Sequence, residues 1–212
     1  MQGVKKMYIK NPMDIENKSM DIIDKIMGDT TFNEEEMIIA KRMIHTTGDF
    51  DYRKIIVFKN DFIHEAKESI LNGTKIFTDT KMAYMGINKP ALAKANCELK
   101  CFIDDERVFK MSKELGTTRS ACAVDLAVEE GIDAFVIGNA PTALFRILEL
   151  VKEGKVNPKF VVGVPVGFVG AAESKEYLRE FDIPSISTVG YKGGSNVAAS
   201  IINALLYMVV GR

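Results

Sequence analysis

Short β-rich runs alternate with segments of helical periodicity along most of this chain, and this alternation limits the folds it can adopt. The runs that fit buried strands are Lys75 to Thr78, Lys100 to Ile103, Ala134 to Ile137, Phe160 to Val164 and Ser185 to Val189. Parallel strands need long connections between them, and the intervening helices supply these as right-handed crossovers. The pattern therefore predicts an α/β protein with a three-layer α/β/α, flavodoxin-like fold and a mainly parallel five-stranded sheet.

Two helices are expected before the first of these strands. One runs from Asp14 to Met27 and ends at Gly28, and the second runs from Asn33 to about Thr46. Asn33 can cap the second helix, because glutamates that suit the positive helix end follow it. No repeat, low-complexity segment or flexible linker divides the sequence, so residues 1–212 are expected to form a single domain with a helical N-terminal preface.

The composition argues against several classes of partner. The 212 residues include 28 Lys and Arg against 29 Asp and Glu, so the chain lacks the basic excess of a nucleic-acid-binding protein. Its apolar runs fall short of the roughly 20 residues that span a membrane, and its N-terminus lacks the pattern of a secretory signal. We therefore expect a soluble, cytoplasmic protein in which Cys97, Cys101 and Cys122 are reduced thiols. No histidine cluster accompanies these cysteines, so no metal site is expected.

Histidine chemistry can involve only His45 or His64. His45 lies at the expected end of the second helix, in RMIHTTGDFD, and Asp49 and Asp51 follow it closely. Both the helix end and the carboxylates favour the imidazolium form, which can deliver a proton to a ring nitrogen near neutral pH. The alternative is that His45 only caps the helix. His64, within a helical pattern, is expected to be solvated or structural.

Glycine-rich loops follow three of the predicted strands, where ligands bind in sheets of this type. They are GNAP (138–141), GVPVGFVGAAES (163–174) and TVGYKGGSN (188–196). The third loop offers glycine N–H groups beside Lys192 and could bind a phosphate or carboxylate, or Gly193 and Gly194 could simply permit a tight turn. Neither the GxxxxGK[ST] order nor GxGxxG is present, which argues against a nucleotide site.

Three further segments contain candidate binding residues. Arg119 is expected in the first turn of a helix, where the helix dipole disfavours a cation, so a carboxylate of a substrate or of the protein should pair with it. Lys81 and Met82 lie in DTKMAYMGI, whose methionines and tyrosine could contact a broad apolar ring with acidic edges or pack in the core. Ser19, in a helical pattern, predicts nothing by itself.

Several segments, taken in order, resemble the precorrin-8X and cobalt-precorrin-8 methylmutase family from Ser19 to Leu206. They are RMIHTTGDF, TDTKMAYMGI, TRSACAVDLA, GNAPTALFRIL, GVPVGFVGAAESKEYL and TVGYKGGSNVAASIINALL. The resemblance implies an isomerase of cobalamin biosynthesis that moves a methyl group from C11 to C12 of a corrinoid, giving hydrogenobyrinate or its cobalt form, cobyrinate. It also implies a flavodoxin-like homodimer that binds the ring near its interface and needs no redox cofactor.

The resemblance also assigns roles to residues. It implies that His45 is the acid–base residue near the ring C nitrogen and that Ser19 and Arg119 contact the substrate. We add Thr46, Lys81, Met82 and Lys192 as candidate ring contacts. Two other functions stay open on the residues alone: a noncatalytic tetrapyrrole carrier, and a nucleotide-binding α/β protein that uses the glycine loop. No motif shows whether the substrate already carries cobalt.

Overall fold

The computed structural model describes residues 9–211, in which helices cover both faces of one sheet. The strands are β1 (Ile56–Lys59), β2 (Lys75–Thr78), β3 (Glu98–Lys100), β4 (Ala134–Ile137), β5 (Phe160–Gly163) and β6 (Ser185–Thr188). The helices are α1 (Pro12–Met27), α2 (Glu34–Thr47), α3 (Tyr52–Ile55), α4 (Phe62–Leu71), α5 (Lys81–Gly86), α6 (Lys89–Lys94), α7 (Glu106–Leu115), α8 (Arg119–Glu129), α9 (Pro141–Lys152), α10 (Ala171–Leu178) and α11 (Ser195–Val210). None of the helices in this range is long and apolar enough to span a membrane.

The strand order confirms the predicted fold class. The strands lie in the order β1-β6-β5-β4-β2-β3, and every pair except β1 with β6 is parallel. Numbered along the parallel part alone, this is the 2-1-3-4-5 order of flavodoxin-like sheets. The chain reverses its direction of strand addition between β2 and β4, and such a reversal opens a crevice at the carboxyl ends of the strands.

The prediction of five strands was wrong by one, because β1 was missed. This strand pairs antiparallel with β6, from Ile56 opposite Thr188 to Lys59 opposite Ser185. It is only four residues long and follows α3 without an intervening turn, so the sequence contains no boundary that would mark it. Its antiparallel direction places α3, and the end of α2 before it, at the carboxyl edge of the parallel strands.

The third strand begins earlier than predicted. It covers Glu98–Lys100 instead of Lys100 to Ile103, because its register is set by pairing with β2 from Lys75 opposite Glu98. Phe102, which the prediction placed in the strand, packs beyond it, with its ring centroid 6.2 Å from that of Phe77.

Alternate residues of the central strand β4 face two separate hydrophobic clusters. Ala134 and Val136 belong to the cluster that includes α1, α2, α4 and α11, whereas Phe135 and Ile137 belong to the cluster beneath α7 to α10. This is the side-chain alternation of a strand buried on both faces. It confirms the predicted three-layer arrangement.

The second helix has well-defined ends, as expected. The Asn33 side chain accepts a hydrogen bond from the Glu36 N–H, and the Glu36 carboxylate accepts one from the Asn33 N–H, both at 2.9 Å. The helix ends at Gly48, whose φ of 65° is left-handed and whose N–H donates to the Ile44 carbonyl.

Candidate functional site

His45 lies in the last turn of α2 and is exposed. It is not what caps the helix, because the Gly48 N–H donates to Ile44 at 2.8 Å and the Thr47 hydroxyl donates to Met43 at 2.8 Å. Within residues 9–211, His45 forms no hydrogen bond or ion pair. Its imidazole is therefore available to a ligand.

Ser19 and His45 line the same cleft, although they come from different helices. The cleft measures about 200 Å³, and its lining consists of Ser19, Ile22, Ile23, Ile44, His45, Gly48 and Phe50. The Ser19 hydroxyl donates to the Ile15 carbonyl at 2.8 Å, which leaves its oxygen able to accept a hydrogen bond from a ligand. Thr46 is exposed beside His45 but does not line this cleft.

The two aspartates that follow α2 bind Lys192. The Lys192 ammonium lies 2.6 Å from an Asp49 carboxylate oxygen and 2.7 Å from one of Asp51. The hydrogen bond from Lys192, followed by one from the Asp51 N–H, lowers the pKa of Asp49. The same two carboxylates raise the pKa of Lys192. The carboxylates of Asp49 and Asp51, which were expected to act on His45, therefore form ion pairs with Lys192 of the glycine loop.

The segment 48–55, which contributes to the cleft, also contributes to an apolar groove of about 580 Å³. Its lining consists of Asp51, Lys54, Ile55, Val166, Phe168, Val189, Tyr191 and Lys192. Phe168 and Val169 are 85% and 90% exposed, and the Phe168 ring centroid lies 5.6 Å from that of Tyr191. Such exposed apolar surface is typical of a binding site.

The helix α5, which follows β2, also presents apolar side chains to solvent. Met82 and Met85 are 70% and 73% exposed, so the alternative that these methionines pack in the core is wrong. Lys81 pairs with Asp104 at 2.8 Å, at an exposed position where such pairs contribute little stability. The Lys81 ammonium can therefore exchange this partner for an acidic group of a ligand.

Arg119 is the first residue of α8, which Thr118 caps by accepting a hydrogen bond from the Ala121 N–H. Its guanidinium lies 4.6 Å from the centre of the Phe109 ring. Within the described residues it forms no salt bridge with a carboxylate. The sequence had predicted that a carboxylate of a substrate or of the protein would pair with Arg119. No carboxylate of the described residues does so.

The Gly193–Gly194 loop makes a close backbone approach. A Cβ on Gly193 would collide with the Val164 carbonyl, and the Gly194 N–H donates to that carbonyl at 2.9 Å. One of the glycine N–H groups that were expected to bind a phosphate or carboxylate is therefore already hydrogen-bonded within the protein. No cluster of acidic, histidine or cysteine side chains that could hold a metal ion occurs in the described part of the chain.

Asp79, which was not among the candidate residues predicted from sequence, connects the loops that follow β2 and β4. It follows β2, is almost fully buried, and accepts hydrogen bonds from the N–H groups of Gly138, Asn139 and Ala140 at 2.7 to 2.9 Å. Burial raises the pKa of Asp79, and the three N–H groups act in the opposite direction. An aspartate directly after a buried strand was the signal that could have identified it.

Comparisons with known proteins match nearly the whole chain. The family model described as precorrin-8X methylmutase matches residues 14–208. The cobalt-precorrin-8 methylmutase of Salmonella typhimurium is 47% identical over 207 residues, which cover 94% of this chain and 97% of that protein. The corresponding protein of Methanocaldococcus jannaschii is 44% identical, with 93% of this chain and 94% of that protein covered.

The chain belongs to the precorrin-8X methylmutase family. The members of this family are isomerases. A crystal structure of precorrin-8X methylmutase from Thermus thermophilus superposes with a TM-score of 0.87 and 33% identity, covering 93% of this chain and 96% of that one. The family resemblance inferred from the sequence motifs is thus confirmed.

In this methylmutase fold, most candidate residues lie in loops and helix ends at the carboxyl edge of the sheet, whereas Ser19 lies in the middle of α1 and faces the cleft with His45. A hydrogen bond of 2.8 Å between the hydroxyls of Thr80 and Ser195 joins the start of α5, which carries Lys81 and Met82, to the start of α11. The Val189 N–H donates to the Ile55 carbonyl at 2.8 Å, which joins the β6 loop to α3. Arg119 takes no part in these contacts, because it begins α8 on the opposite face of the sheet. It lies at the same carboxyl edge, since the hydroxyl of the adjacent Thr118 donates to that of Thr142 in the first turn of α9 at 2.8 Å.

Proposed function

We propose that this protein is an isomerase of cobalamin biosynthesis that moves a methyl group from C11 to C12 of precorrin-8X or cobalt-precorrin-8. The product is hydrogenobyrinate or cobyrinate, and His45 is the acid–base residue. Family membership supports the class of reaction. The single observation that supports the residue assignment is that Ser19 and His45, from separate helices, line one cleft, and the chain segment after His45 leads from it to the lining of an apolar groove.

The reaction is an intramolecular 1,5-shift. The bond from C11 to the methyl carbon breaks as the bond to C12 forms, so atoms and electrons balance without an oxidant, a metal or a redox cofactor. His45 donates a proton to the nitrogen of ring C, which makes the conjugated system more electron-poor, and recovers the proton when the methyl group has moved. The protein otherwise supplies orientation and charge complementarity.

The ring lies across both the cleft and the groove, because the cleft alone is too small for a macrocycle. His45 then faces one edge of the ring while Phe168 and Tyr191 contact its apolar face. Side chains at the carboxyl edge contact the peripheral groups of the ring. The cations among them are Lys81, Arg119 and Lys192, and the uncharged ones are Thr46 and Met82. Two copies of the chain pair in the cytoplasm, with the ring near their interface.

The test is to incubate the purified protein with precorrin-8X or its cobalt form and follow the absorption change of the rearranged product. We expect turnover by the wild type, and no turnover by His45→Ala even though that variant still folds and binds product. The matched control is His64→Ala, since His64 is the other histidine of the chain and lies on α4. It should retain wild-type rates.

The same experiment separates the enzyme from a noncatalytic carrier. A carrier would bind substrate and product but leave the spectrum unchanged, and replacing His45 would alter nothing. Wild-type turnover by His45→Ala would show that the imidazole has no role in the reaction.

A further inference from the structure

Lys175 is a buried cation whose position requires an explanation. It lies on α10 with no exposed surface, and its ammonium donates to the Thr188 hydroxyl at 3.1 Å and to the Lys192 carbonyl at 2.8 Å. In the described residues, no carboxylate pairs with it. Burying an unpaired charge costs free energy, and an apolar side chain of similar size would fill this space at lower cost.

The hydrogen bonds of Lys175 fix the turn that follows β6. The Thr188 hydroxyl also donates to the Lys192 carbonyl, at 2.6 Å, so that this one oxygen accepts from two side chains. Gly190, with a φ of 74°, allows the chain to reverse direction between Thr188 and Lys192. The backbone at Lys192 is therefore held from inside the protein.

Lys192 passes this constraint to the end of α2. Its ammonium binds Asp49 and Asp51, and the Asp49 N–H donates at 3.2 Å to the Thr47 hydroxyl. The Thr47 hydroxyl in turn donates to the Met43 carbonyl in the last turn of the helix. A chain of contacts thus runs from the buried ammonium to the turn that carries His45.

We propose that Lys175 is a positioning residue that acts through Lys192 to hold the end of α2, and with it His45, in place. This role rests on the proposed function, because the contacts from Lys175 to α2 matter for catalysis only if His45 is the acid–base residue. Small displacements of a catalytic group can change a rate strongly, so a rigid support of this kind has a direct kinetic consequence.

A double-mutant cycle tests whether Lys175 acts through Lys192. Lys175→Met and Lys192→Met each keep the length of the side chain while removing its ammonium. Each single change should lower kcat/KM by about tenfold, and the double variant should also lose about tenfold, because contacts in one chain are not additive. Losses that multiply to about a hundredfold would show that the two lysines act independently and would overturn the proposal.

Hydrogen exchange of the free protein tests the contact chain without substrate. Lys175→Met should speed amide exchange in residues 44–51 and 189–194 while leaving α8, which packs against α7 and α9, unchanged. Thr188→Val, which removes a hydroxyl at nearly constant volume, should have the same local effect and serves if Lys175→Met does not fold. Lys159→Met is the control, because Lys159 is exposed and pairs with Asp133.

The two measurements also separate this inference from the proposed function. If the wild type shows no turnover, the proposed function fails, and the exchange data alone decide the role of Lys175. Exchange that stays unchanged at residues 44–51 in both variants would overturn the positioning role, whatever the activity.

Discussion

Arg119 and Lys192 were both selected as cations for the acidic groups of the ring, but they have different electrostatic surroundings. The Arg119 guanidinium makes a cation–π contact with the Phe109 ring and, in the described residues, has no carboxylate partner. Lys192 is already held by Asp49 and Asp51. A ligand carboxylate can therefore pair with Arg119 directly, whereas it must share or displace the partners of Lys192.

We expect Arg119→Ala to weaken hydrogenobyrinate binding by about tenfold, with a smaller loss for Lys192→Ala. Arg119→Ala should lower the affinity more than the rate of the bound reaction, whereas Lys192→Ala should also lower that rate, because Lys192 holds the end of α2. Titration calorimetry at low and high salt measures this, and Lys155→Ala is the control because Lys155 forms an exposed ion pair with Glu153. Unchanged affinity for Arg119→Ala at both salt concentrations would show that Arg119 serves the fold.

Lys175 should give the folded protein a pH dependence of stability that can be measured. Burial, with the positive charge of Arg179 as a second cause, lowers the pKa of Lys175 from 10.5 to about 8. Between these values the unfolded chain holds a proton that the folded chain has released. The free energy of unfolding of the wild type, relative to Lys175→Met, should therefore rise from about pH 8 to pH 10.5 and be flat below pH 8.

Urea unfolding of both proteins across this range checks the prediction. A difference between wild type and Lys175→Met that does not change with pH would mean that the Lys175 ammonium is as well solvated in the folded state as in the unfolded chain.

At the scale of elements, the loops that follow β2 and β4 are held together by one carboxylate. Asp79→Asn replaces one acceptor oxygen by a donor, so at least one buried N–H of Gly138, Asn139 or Ala140 loses its partner. An unsatisfied buried group costs about 1–3 kcal/mol. We expect Asp79→Asn to lower the free energy of unfolding by about 2–3 kcal/mol.

The matched control is Asp133→Asn, which breaks only the surface pair with Lys159 and should cost less than about 1 kcal/mol. Denaturant unfolding measures both variants. Equal small losses would show that Asp79 is not required to hold the two loops.

The sequence predicted those elements whose signals are local. The run Ala134 to Ile137 is apolar throughout and flanked by breaks, and it matches β4 at both ends. In contrast, β1 is defined by its pairing with β6, and the start of β3 by its register against β2. Such tertiary pairing leaves no mark in the three or four residues of the strand itself.

The candidate site was predicted in the same uneven way. Family motifs identified Ser19 and His45, which do share a cleft. They assigned no role to Asp79 or Lys175. The place of Asp79 directly after a strand marks it as a candidate, but the backbone groups that these two side chains bind come from other segments and meet them only after folding. Composition and spacing reveal which side chains can do chemistry but not which buried groups support them.

At the scale of the whole molecule, the exposed apolar side chains around the groove are consistent with a second copy of the chain. We expect sedimentation at micromolar concentration to give twice 23.5 kDa, and a Phe168→Asp, Val169→Asp double variant to shift the protein toward the monomer. Lys155→Asp, at a residue that does not line the groove, should leave the association unchanged. A wild type that sediments as a monomer would contradict the proposed dimer.

The fate of the migrating methyl group tests the proposed reaction most directly. Substrate labelled with ¹³C in the methyl group at C11 is incubated with the protein, and the product is examined by ¹³C NMR. We predict that the label arrives intact at C12 with the wild type and stays at C11 with His45→Ala. Label that remains at C11 with the wild type, while the ring is bound, would contradict the proposed function and favour a carrier.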